Sequence, residues 1–247
     1  MSNIGDRERK TQERVLSFFV KVLGYTYLGN WEERENRNVE EDLLRTFLLE
    51  RYPATLANKA IHELQRVAGD QVRELYDVNK DVYSLLRYGV KVSETQGTNR
   101  ETVELIDWEH PQKNHFGIAE EVSVLGENKK RPDLVLYVNG IALGVIELKR
   151  GSVSVSEGIR QNLDNQQSRF IQRFFTTMQL VIAGNDTEGA RYGSIKTPEK
   201  YYLKWKEESR GEYQHLLDRH LFQLCNKERL LELIHDFTLF DGGIKKV

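Results

Sequence analysis

Residues 131–150 read RPDLVLYVNGIALGVIELKR. Two apolar runs flank Asn139-Gly140, a dipeptide that signals a hairpin turn. Asp133 opens the first run, and Glu147 and Lys149 close the second. IALGVIEL is apolar on both faces, as in a central strand covered on both sides. Alternate strand residues share a face, so Glu147 and Lys149 point the same way and Leu148 points into the opposite layer. Charges at the end of such a strand are costly unless paired or bound to metal.

The loop decides whether Asp133 joins them. A two-residue turn with regular pairing sets Asp133 against Ile146 and sends Glu147 to the other side of the sheet. A three-residue loop of Val138, Asn139 and Gly140 pairs Asp133 with Val145 and puts Asp133, Glu147 and Lys149 on one face. The expectation is an odd-numbered loop, or an equivalent bulge with Gly144 as the next candidate. Two carboxylates and a lysine gathered there suit metal-assisted phosphodiester hydrolysis; on these residues alone a surface salt bridge at the hairpin end is an equal alternative. Mg²⁺ takes oxygen ligands and is often held by only one or two carboxylates. A lysine beside it can orient water or steady charge on the phosphate. Glu8-Arg9-Lys10 and Glu127-Asn128-Lys129 repeat the E-x-K spacing but have no strand to hold it.

Outward from this stretch, residues 7–90 read mainly helical, with apolar faces such as Val15, Phe18, Phe19, Val22 and Leu23 closing at Gly24. Helices are expected over 11–24, 40–53, 54–69 and 76–89. From 90 the period changes to strands, over 90–94, 102–108, 115–124 and the two opening runs. A helix over 156–175, strands at 178–184 and 191–195, and helices over 212–224 and 227–236 follow. No repeat or linker appears, so a single α/β domain is expected.

Composition narrows the setting. The 247 residues carry a formal net charge of −2, with 30% charged and 39% apolar residues. A nucleic-acid partner is neither required nor excluded by that balance. The single cysteine, Cys225, excludes an internal disulfide. The N-terminal MSNIGDRERK has no signal-peptide core, and GIALGVI is too short to span a bilayer. A cytoplasmic protein with no membrane association is expected. GDRERKT lacks the second glycine of a phosphate-binding loop, the six histidines show no metal-pair spacing, and Ser194 lacks a nucleophile elbow.

The stretch carries the P-D…E-x-K signature of restriction-endonuclease-like nucleases. Its surroundings resemble the N-terminal nuclease domain of the R subunit of type I restriction-modification enzymes. RKTQERVLSFFVKVLGYTYLG, VYSLLRYGVKV, ELIDWEHPQKNHFGIAEEVSV, AGNDTEGARYGS, YYLKWK and LLELIHDFTLFDGGIKKV carry the resemblance in the family's order. It implies an α/β restriction-endonuclease-like core over about 90–195, a mixed central sheet flanked by helices, with extra N-terminal and C-terminal helices. A C-terminal extension, 196–247, would lead toward an ATP-dependent motor absent from this chain, which then reads as a fragment of a longer protein.

The implied activity is Mg²⁺-dependent endonucleolytic cleavage of double-stranded DNA, with ATP used only by the motor. Modification (M) and specificity (S) subunits are the implied partners. Asp133 and Glu147 are the implied metal carboxylates and Lys149 the catalytic lysine. Gln161 fits the first position of a Gln-x-x-x-Tyr motif, whereas Asn165 stands where that motif has tyrosine. Glu13 is the candidate for a first-helix metal glutamate. Lys129, Lys130, Arg131 and Arg150 bracket the site as candidate DNA contacts. Lys196, Lys200, Lys204 and Lys206, interleaved with Tyr201, Tyr202 and Trp205, suit backbone contact; alternatively Tyr201, Leu203 and Trp205 face the core. Two other readings are a non-catalytic DNA-binding or docking module on the same fold, and a free-standing repair or junction-resolving nuclease.

Overall fold

The computed structural model describes residues 4–95, 99–207 and 213–247. In chain order the elements are α1 (Ile4–Lys21), β1 (Thr26–Asn30), α2 (Glu41–Leu49), α3 (Ala54–Ala68), α4 (Leu75–Tyr88), β2 (Val90–Val92), β3 (Glu101–Val103), β4 (Phe116–Glu120), β5 (Leu134–Val138), β6 (Ile141–Leu148), α5 (Val155–Asn165), β7 (Leu180–Asn185), β8 (Gly189–Gly193), α6 (Leu216–Cys225), α7 (Lys227–Asp236), β9 (Leu239–Asp241) and β10 (Ile244–Lys246). Six strands form a mixed sheet in the order β1-β4-β5-β6-β7-β8. β1 runs parallel to β4 and β6 parallel to β7, and the other neighbours are antiparallel. This is the mixed sheet flanked by helices expected of a restriction-endonuclease-like core.

Every residue of β5 and β6 is buried, because apolar clusters cover both faces of the sheet. One cluster joins Leu134, Leu136, Ile146 and Leu148 to α1–α4, α6 and α7. The other joins Val135, Tyr137 and Val145 to α5 and the 171–178 segment. The near-continuous apolar reading of β6 follows from that double cover.

The hairpin loop differs from the three-residue expectation. Asn139 and Gly140 form a two-residue turn at φ 52° and 81°, with Val138 paired to Ile141 and Tyr137 to Ala142. The twist of that turn matches the strands. Its surroundings also select it. The Asn139 side chain accepts from the His115 N–H at 2.7 Å and donates to Leu105 O and Asn114 Oδ1 at 2.9 and 2.8 Å. A Cβ on Gly140 would lie 2.7 Å from Glu40 O and from Leu44 N, so α2 docks directly on the turn.

The alternative expectation, a bulge at Gly144, is what the fold uses. Leu136 pairs with Gly144 and Val135 with Val145. Leu143 and Gly144 therefore both stand against Leu136, on the same face. The extra residue reverses the alternation of everything after it. Leu134 pairs with Ile146, and one further step sets Asp133 opposite Glu147.

Several boundaries move. β1 lies within the stretch read as mainly helical and joins the six-stranded sheet as an edge strand beside β4. The helix expected over 156–175 stops at Asn165, and a 3₁₀ turn at Gln172–Thr176 follows. The strand expected over 102–108 reduces to β3. The β9–β10 hairpin carried no strong sequence signal. Residue 212, where one helix was expected to start, lies outside the described residues, and α6 begins at Leu216.

Candidate active site

The open end of the β5–β6 hairpin holds the acidic pair. Asp133 precedes β5, and its backbone carbonyl accepts from the Glu121 N–H at 2.8 Å. Its Oδ2 accepts from the Leu148 N–H at 2.7 Å, which fixes the carboxylate across the strand pair. Glu147 is fully buried, and its Oε2 has no N–H or O–H donor among the described residues. Its Oε1 accepts from Gln161 Nε2 and lies 3.5 Å from Lys149 Nζ.

Gln161 reaches this point because α5 sits close to the strand end. Ser154 caps the helix, accepting from the Ser156 N–H. At Gly158, an added Cβ would lie 3.1 Å from Ala183 Cβ and 3.5 Å from both Glu147 O and Lys149 Cγ. Asn165, one turn on from Gln161, is 1% exposed and does not line the cleft. The tyrosine position of the motif thus points into the fold here.

The charges perturb one another. Burial raises the Asp133 carboxyl, with Lys149 opposing and Glu121 and Glu8 adding to the rise. Burial, reinforced by Asp133, raises the Glu147 carboxyl further above the ordinary carboxylate range. At Lys149 burial works against the charge, but Glu147, Asp133 and Glu8 outweigh it and raise the ammonium pKa. Two buried carboxyls facing each other cannot both ionise cheaply without a compensating cation.

These side chains open onto a cleft of about 870 Å³ between the strand ends and α1. Glu8, on α1, places Oε1 3.5 Å from Lys149 Nζ. Glu13 lines the same cleft but is paired with Arg9 at 3.1 Å and more than half exposed. Glu8 is therefore the first-helix glutamate nearest the lysine. Gln12 donates to Glu120 and Glu121 at 3.2 and 2.9 Å, and the Tyr27 hydroxyl donates to Glu120 at 2.6 Å. Sequence reading missed Glu8 and Gln12, although they are four apart and continue the Val15–Phe19 side of the helix toward its start. Among the described residues no group of three acidic, histidine or cysteine side chains is arranged to hold a metal ion. The carboxylate set is Asp133 and Glu147, which is enough for Mg²⁺ with water and phosphate completing its shell.

Of the basic residues bracketing the pair, Arg131 lines the cleft and is bound to Glu32 and, at 2.7 Å, to Glu121. Lys130 turns away, with Nζ 3.9 Å from the centre of the Phe170 ring. Neither Lys129 nor Arg150 lines the cleft.

A sequence profile described as type I restriction enzyme R protein N terminus matches residues 6–200. The chain belongs to that family. The type I restriction enzyme HindI endonuclease subunit of Haemophilus influenzae is 31% identical over 176 residues, covering 66% of this chain and 16% of that protein. The putative type I restriction enzyme MjaIXP endonuclease subunit of Methanocaldococcus jannaschii is 24% identical and aligns with 96% of the chain and 27% of its own length. The SsaAORF53P endonuclease subunit of Staphylococcus saprophyticus is 26% identical, with coverages of 81% and 19%. The chain thus spans between about a sixth and a quarter of the length of these relatives. No described helix is long and apolar enough to cross a membrane.

Proposed function

We propose that this R-protein N-terminal domain is the DNA-cutting unit of a type I restriction enzyme, hydrolysing phosphodiester bonds with Mg²⁺ held by Asp133 and Glu147. The observation that carries the reading is the buried Oε2 of Glu147, which has no donor among the described residues and faces the Asp133 carboxyl, at a strand end that also presents Lys149. A fully buried carboxylate oxygen with no donor, facing a second carboxylate, is a poor structural element and a good cation ligand. Mg²⁺ bound there would polarise the phosphoryl oxygen and lower the pKa of a coordinated water.

The chain's own groups supply the rest. The Leu148 N–H holds the Asp133 carboxylate in register with Glu147, and Gln161 holds the other end of the Glu147 carboxylate. Lys149, only 14% exposed at its side chain, keeps its ammonium at the cleft wall, where it can hydrogen-bond a phosphate oxygen as negative charge grows. Glu8 competes for that ammonium and steadies it in the free domain. Double-stranded DNA, a motor elsewhere in the full-length protein, and modification and specificity subunits complete the proposal.

The test is Mn²⁺ or Mg²⁺ titration calorimetry on the chain, paired with plasmid cleavage by the assembled enzyme. Binding that disappears in Asp133→Ala and Glu147→Ala, together with cleavage, supports the reading. Metal binding or cleavage that survives either change removes that residue from the site.

A further inference from the structure

The cleft poses an electrostatic problem for a polyanion. Its lining carries seven carboxylates, Glu8, Glu13, Glu32, Glu120, Glu121, Asp133 and Glu147, against Arg9, Lys21, Arg131 and Lys149. Three of those four cations are already ion-paired with the cleft's own acids. Affinity for DNA comes mainly from lysine and arginine on phosphates, so it must arise outside the cleft.

Residues 200–206 offer such a surface. Three contacts pin the segment to the fold. Leu203 exchanges backbone hydrogen bonds with Tyr192 at 2.8 and 2.9 Å along the edge of β8. Tyr202 is 8% exposed in the core, and Trp205 packs on Tyr192 with ring centres 5.8 Å apart. The expected inward alternation of Tyr201, Leu203 and Trp205 is not what forms, since Tyr201 is 60% and Leu203 49% exposed. Lys200, Lys204 and Lys206 are exposed with Tyr201. Lys200 Nζ lies 4.8 Å from the Tyr201 ring centre. None of these three lysines has an ion-pair partner among the described residues, whereas Lys196 is held by Glu74 at 3.1 Å. The buried His220 imidazole is held low, to about 4, first by burial and then by Arg219 and Lys204.

The segment is also joined to the site. Glu199 pairs with Arg160 on α5 at 2.9 Å, and the next residue, Gln161, is bound to Glu147. α5 therefore touches the segment's start through Arg160 and the acidic pair through Gln161.

We infer that Lys200, Tyr201, Lys204 and Lys206 form a ridge that grips the phosphate backbone of duplex DNA and leads it past α5 to the cleft. The inference rests on the nuclease reading. Lysines that only guard a sheet edge against mispairing are the competing explanation, but the Leu203 bridge already occupies that part of the β8 edge.

Fluorescence anisotropy of the full 247-residue chain with a labelled duplex, over a salt series, separates the two. Combined Lys200→Ala, Lys204→Ala and Lys206→Ala should lower the slope of log affinity against log salt by roughly 2–3 and weaken low-salt binding at least about tenfold. Tyr201→Ala should cost a few-fold in affinity with the slope unchanged, and the triple Lys→Arg variant should bind like the parent. A triple-alanine variant with the parental slope, a loss that arginine does not restore, or a parent chain that binds no duplex at low salt overturns the ridge. Cleavage by the assembled enzyme that survives Asp133→Ala would remove the nuclease reading without altering the slope, whereas an unchanged slope removes only the ridge.

Discussion

Replacing Glu147 by glutamine should make the metal-free domain more stable while abolishing its activity. In the parent, a fully buried carboxyl faces Asp133, and both are displaced upward by burial. Glutamine has nearly the same volume, still accepts from Gln161, and brings an NH₂ that can donate to Asp133. A like-charge contact thus becomes a hydrogen bond. Lys149 loses one partner but keeps Glu8 at 3.5 Å. Replacing a buried ionic group by a neutral one of similar volume stabilises by about 1–4 kcal/mol where its desolvation cost exceeds the Coulombic gain, so a gain of about 2 kcal/mol is expected, or roughly 4–8 °C in Tm for a domain of this size.

The sign of the pH dependence follows from the direction of the shifts. Carboxyls raised in the folded state bind protons more tightly than in the unfolded chain. Their full stability is present below the unfolded value and is lost as pH rises through the folded value. The Glu147→Gln advantage should therefore be small near pH 4 and grow toward pH 8. Thermal melts in EDTA across that range measure it. Adding Mg²⁺ should reverse the order, because binding stabilises only the parent by mass action. An equal Tm difference at both ends of the range, or a destabilised glutamine variant at pH 8 in EDTA, would refute the reasoning.

In the assembled enzyme, Asp133→Ala, Glu147→Ala and Lys149→Ala should each abolish cleavage and leave ATP hydrolysis intact, since the described chain has no nucleotide-binding loop; parallel plasmid and phosphate-release assays check this. The isolated chain should bind duplex weakly with steep salt dependence and cut it poorly, because its cleft is acidic; tight, sequence-specific binding in a filter assay at physiological salt would contradict it. Asn139→Ala should cost about 3 kcal/mol, from an unfavourable positive φ and from buried groups left without the Asn139 amide. Asn139→Gly, which relieves only the backbone, should recover part of that loss in chemical denaturation.

The sequence by itself determined the central strand and its charged end, because eight consecutive apolar or terminal residues with β-branched character admit little else. It also determined the helical faces around Val15 and Phe19 and the turn at Asn139-Gly140. It could not decide how that turn passes its register to Asp133. Two-residue and three-residue loops are both compatible with VNG, and they place Asp133 on opposite faces. The choice came from contacts far away in the chain. α2 presses on Gly140 and His115 bonds Asn139, which enforces the tight turn, and the leftover residue is absorbed at Leu143–Gly144. Asp133 and Glu147 share a face because of that bulge. The remaining wall of the cleft was hidden for the same reason: Glu8 and Gln12 look like solvated helix residues until the fold lays α1 beside the strand ends. β1 was missed because a five-residue edge strand has a weak local signal and is held by its pairing with β4. Local periodicity thus fixed most of the buried apolar faces, though Val22 is exposed, and long-range packing fixed which of the charged residues meet.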